Sequence, residues 1–85
     1  MCTYITMTEP VVGSGATADG WINLASAVVY YDHPQEAPVE HALCIDFRSD
    51  KAASDPSARV AVELDAASAR RLAHTILATL DEATA

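Results

Sequence analysis

The chain has few large side chains. One tryptophan, one phenylalanine and three tyrosines are its whole aromatic complement in 85 residues, so although 51% of the chain is hydrophobic, Ala and Val supply much of that content. The core is therefore expected to be thin, because a domain of this size buries only about 60–65% of the surface its unfolded chain exposes. An apolar sheet face closed by a second copy would supplement such a core, so a homodimer is expected. Basic residues are also scarce. Five Lys and Arg stand against twelve Asp and Glu, a formal net charge of −7. Phosphate backbones would be repelled, and nucleic acid is not an expected partner. No run approaches the roughly 20 apolar residues that span a bilayer, so no membrane helix is expected. The opening Met1-Cys2-Thr3-Tyr4-Ile5-Thr6 has neither the basic region nor the apolar run of a signal peptide. Neither Cys2 nor Cys44 belongs to a Cys-x-x-Cys pair, which leaves zinc-ribbon and thioredoxin-like readings unsupported. Reduced thiols in the cytoplasm are the expected state.

What is present reads as a single domain of four strands followed by one helix. Residues 2–12 mix Thr, Tyr, Ile, Met and Val, which suit a half-buried pleated surface, with an interruption at Pro10. Gly13 to Gly20 reads as a flexible connection. It lacks the Gly-Lys-Ser/Thr ending and the following helix of a nucleotide loop. Residues 21–31 form the second strand, with Trp21 anchoring its entry and Tyr30 and Tyr31 pointing to opposite faces. Pro34 and Pro38 stop it. In residues 41–47, Leu43, Ile45 and Phe47 alternate against Ala42, Cys44 and Asp46, marking the third strand. Residues 59–64 form the fourth, with Val60, Val62 and Leu64 inward and Arg59 and Glu63 outward.

Asp65 is the expected N-cap of a helix beginning at Ala66. Ala69, Leu72, Ala73, Ile76 and Leu80 then recur at helical spacing and would cover one sheet face, with His74 nearly opposite. The expected fold is α+β: a four-stranded antiparallel meander with one C-terminal helix on one face. The face left uncovered is where a partner would dock.

A meander brings the start of strand one, the end of strand two, the start of strand three and the end of strand four to one edge. Cys2, His33, His41 and Asp65 then share that end. Thiolate and neutral imidazole are good ligands for zinc or another transition metal, with Glu40 or Asp32 adding oxygen. The expected metal set is Cys2, His33, His41 and Glu40. On this reading the protein binds a transition metal, zinc first, and an open coordination position would allow chemistry on a small molecule. Removal of Met1 would also expose Cys2 as an N-terminal nucleophile. Two alternatives stay open: a ligand-binding or protein-interaction module with structural histidines, and a metal-free enzyme using His33 or His41 as acid or base.

The opening Met1-Cys2-Thr3-Tyr4, Val29-Tyr30-Tyr31-Asp32-His33-Pro34, Glu40-His41-Ala42-Leu43, Ile45-Asp46-Phe47 and Ala58-Arg59-Val60-Ala61-Val62-Glu63-Leu64 resemble a family of short actinobacterial proteins of unknown function. The resemblance spans most of the chain and implies a bacterial cytosolic origin. It supplies no reaction, cofactor or catalytic set.

Overall fold

The computed structural model describes residues 5–52, 54–55 and 58–84. Four strands, β1 (Thr6–Thr17), β2 (Gly20–Asp32), β3 (Ala42–Arg48) and β4 (Arg59–Leu64), precede one helix, α1 (Ala66–Ala83). The strands lie in sequence order and every neighbouring pair is antiparallel. The α+β meander read from the sequence is the observed architecture.

The segment read as a flexible connection is strand instead. β1 continues through Gly13, Ser14 and Gly15 to Thr17, paired with β2 as far as Thr17 opposite Gly20. The register shifts between Pro10 and Gly13, where an extra residue on β1 makes a bulge; proline has no N–H to give a ladder and suits such a break. The turn is confined to Ala18 and Asp19. Thr17 Oγ1 donates to the Gly20 carbonyl at 2.9 Å and accepts from the Asp19 N–H at 3.2 Å, and Gly20 takes φ of +123°. Gly15 is there for a different reason. A Cβ on it would lie 3.1 Å from Cγ2 of Val60, so the far arm of the β1–β2 hairpin curls back until it meets β4, across the sheet. Glycine composition misled because a close approach between strands asks for the same residue as a loop. Trp21, expected to pack, is 74% exposed.

Register assigns the two faces. On one, Met7, Val29, Ile45 and Val62 form a row across all four strands, flanked by the rows Ala27–Phe47–Val60 and Tyr31–Leu43–Leu64. On the other, Thr6, Tyr30, Cys44 and Glu63 form one row, and Thr8, Val28, Asp46 and Ala61 the next. The most deeply buried residues, Ala42 and Cys44, lie on this second face together with Asp46. The apolar face is the less covered one.

Asp65 caps α1 as expected, accepting from the Ser68 N–H at 2.7 Å. This carboxylate is held below the ordinary range by the Ser68 hydroxyl and N–H. With one residue between β4 and the helix, α1 leaves the sheet edge without a loop and lies beside the Val29/Leu43/Ile45 face. Its stripe does not become core, however. No residue of α1 is buried, and Leu72, Ile76, Leu77 and Leu80 are 45–58% exposed. Among the described residues no helix is long and apolar enough to cross a membrane.

Candidate functional site

The connectivity brings His33 and His41 together at the sheet end where α1 begins. Their ring centroids are 4.6 Å apart, and His41 in turn stacks on Tyr31 at 5.8 Å. His33 is fixed locally: its N–H donates to Asp32 Oδ1 at 2.7 Å, and its Nδ1 lies 3.2 Å from the Glu40 carbonyl. That carbonyl only accepts, so in this contact Nδ1 carries the proton and the ring's lone pair is on Nε2. Glu40 thus meets His33 through its backbone. Cys2 lies outside the described residues.

A second cleft, of 650 Å³, opens on the polar face, lined among others by Tyr30, Asp32, His33, Cys44, Arg59 and Glu63. The β2–β3 connection lies over it because one carboxylate draws it down. Glu63 accepts from three successive N–H groups: Gln35 at 2.7 Å on Oε2, and Glu36 at 3.0 Å and Ala37 at 3.1 Å on Oε1. Beneath, Cys44 donates its S–H to the Ala42 carbonyl at 3.6 Å. Burial pushes the Cys44 thiol up, the Glu63 charge adds to this, and a Tyr30 hydrogen bond opposes it. Burial also raises Tyr30. Both groups are therefore neutral at pH 7, and Cys44 is a packed thiol rather than an activated nucleophile. Further along, Asp46 sits between two guanidiniums, 3.3 Å from Arg48 Nε and 3.2 Å from Arg59 Nε. Its Oδ1 faces Arg59 at ion-pair distance without an aligned hydrogen bond.

The Glu63 clamp was not legible in the sequence, where the residue reads simply as outward-facing. It yields a pH prediction. The N–H groups of Gln35 and Glu36 hold the Glu63 carboxyl below the ordinary glutamate range, a small desolvation penalty opposes them, and Ala37 adds to the lowering. A carboxyl lowered on folding contributes stability that is complete above its unfolded pKa and disappears as pH falls through the lower folded value. Exchange protection factors at Gln35, Glu36 and Ala37 should therefore be constant near neutrality and collapse together below the ordinary glutamate range. In Glu63→Gln the amide oxygen still serves Glu36 and Ala37, but its NH₂ faces the Gln35 N–H. Protection at Gln35 should be lost even at pH 7, and equal protection in both proteins would refute the clamp.

Another cleft is apolar. A cleft of 790 Å³ separates α1 from the sheet, with Val29, Tyr31, Leu43 and Ile45 on one wall and Ala69, Ala73 and Leu77 among those on the other. The whole chain is more extended than a compact monomer. The accessible surface is 6465 Å², whereas a compact monomer of 9.0 kDa exposes roughly 4,900 Å². The radius of gyration is 14.1 Å, against about 12 Å for a compact chain of this length.

Residues 1–85 match the model of a family of unknown function (DUF6295). The chain belongs to this family. No curated protein and no solved structure matches it. Membership assigns no chemistry, and the geometry corrects the expected function. Among the described residues no group of three or more His, Cys, Asp or Glu side chains could hold a metal ion. The meander does gather His33 and His41, but Glu40 meets His33 through its backbone carbonyl and Cys2 lies outside the described residues. The transition-metal function read from Cys2, His33, His41 and Glu40 is therefore withdrawn.

Proposed function

We propose that this protein is an assembly module that works as a homodimer, with the apolar surface of α1 and the adjoining sheet face closed by a second copy. The observation that carries the reading is the exposed stripe of Leu72, Ile76, Leu77 and Leu80 above a cleft lined by Val29, Leu43 and Ile45. The surplus of accessible surface over a compact monomer is about 1,600 Å² per chain, ample for a standard interface that takes about 800 Å² from each partner. A second copy is favoured as occupant because one apolar patch meeting itself about a two-fold axis satisfies both chains at once. The surface differs from the one expected from the sequence. The face away from α1 carries Asp46, Arg48, Arg59 and Glu63 and is roofed by the β2–β3 connection, so it offers little apolar area. A bacterial cytosolic setting belongs to the same proposal, supported by the motif resemblance and by Cys44 being a free, buried thiol.

Light scattering across a concentration series tests the proposal. At tens of micromolar the particle mass should be twice 9.0 kDa and persist in 0.5 M salt, since apolar burial is not screened. A mass of one chain at every concentration would overturn it.

A further inference from the structure

The register of the dimer is written into α1. Counting outward from Ile76, the sequence is close to a palindrome in character: Leu72 and Leu80 stand four residues away on either side, and Ala69 and Ala83 seven. At 3.6 residues per turn, all five residues fall within about 40° of one line along the helix. A stripe symmetric about its midpoint matches itself when a second helix is laid against it antiparallel. The charges agree. Arg70 and Arg71 lie in the N-terminal half and Asp81 and Glu82 near the C-terminus, with no acidic residue in the first turn and no basic residue in the last. Asp81 and Glu82 therefore sit at the negative end of the helix dipole, where an isolated helix is better served by cations. All four charges lie about 120–140° round the helix from Ile76, so they stay solvated outside the seam and favour an antiparallel neighbour only weakly.

Building on the homodimer proposed above, we infer that α1 pairs with α1 of the second copy, antiparallel, about a two-fold axis at Ile76. Leu72 of one copy then packs beside Leu80 of the other, and Ile76 meets its own equivalent. Ala73 and Leu77, about 60–100° further round the helix, remain over the cleft of their own chain, whose lining Leu72 and Ile76 also join.

Single cysteines at these half-exposed positions test the register without disturbing the fold. Ile76→Cys, Leu72→Cys and Leu80→Cys are each oxidised with oxidised glutathione and compared with the wild-type chain, which controls for Cys2 and Cys44. Ile76→Cys should give a disulfide-linked dimer on a non-reducing gel. Leu72→Cys and Leu80→Cys should each stay single alone and cross-link when the two are mixed. Cross-linking of all three variants with themselves would show parallel helices and overturn the register. A wild-type particle of two chains with no cross-link above the control would also overturn the helix pairing while leaving the homodimer standing. A wild-type particle of one chain would remove both.

Discussion

Aspartate in place of Ile76 should reduce the particle to a single chain at concentrations where the wild type is paired. Ile76 is 51% exposed in the subunit, so the second copy would cover about half of its apolar area, worth on the order of 1 kcal/mol from each chain. At a two-fold axis the substitution also sets two carboxylates face to face in a surface that excludes water. Desolvation and repulsion add roughly another 1 kcal/mol even at a high effective dielectric. The sum of about 3 kcal/mol corresponds to roughly a hundredfold weaker dissociation constant. The subunit itself should survive, because position 76 is solvated there already. Sedimentation should thus show the lighter particle while the far-UV circular dichroism spectrum is unchanged. A particle that keeps its mass would locate the interface elsewhere.

The strands of this protein were largely legible because alternation is a direct consequence of the pleat. Leu43, Ile45 and Phe47 against Ala42, Cys44 and Asp46 fixed both the element and its two faces, and register placed them as read. Asp65 before an alanine-rich run was equally readable, since a cap acts over three residues. The failures are long-range. Gly15 looks like a loop residue until Val60, 45 positions later, is found against it. Glu63 was correctly placed on the second face, but nothing local says that the backbone of residues 35–37 will land on its carboxylate.

The histidines show both outcomes in one site. Strand connectivity was enough to bring His33 and His41 together. The hydrogen bond that occupies Nδ1 of His33 depends on how the loop closes, and loop closure has no periodic signature. The helix stripe was recognised by spacing, yet spacing reports only that a surface is apolar and not whether its own chain buries it. The core that was found instead lies under small side chains, which hydrophobicity patterns weight least.

Leucine in place of Ala42 should be the most destabilising single change in the sheet. Ala42 is 0% exposed, with Cys44 beside it on the same face at 3%. Opposite it in β2 is Asp32, whose carboxylate already holds the His33 N–H. Added methyl groups have no open direction, so they must lift the loop or splay β2 from β3. Overpacking of this kind costs about 1–3 kcal/mol. For a domain of this size each kcal/mol lowers the melting temperature by about 4–8 °C, giving a drop of roughly 5–20 °C. The melts should be run at equal chain concentration, because association contributes to apparent stability. Ala25→Leu, at an exposed position of β2, makes the same chemical change where solvent can take it and should shift the melt by little. Equal melting of both variants would mean that the polar face is not closed over Ala42, and the burial that fixes the β2–β3 end of the sheet would have to come from elsewhere.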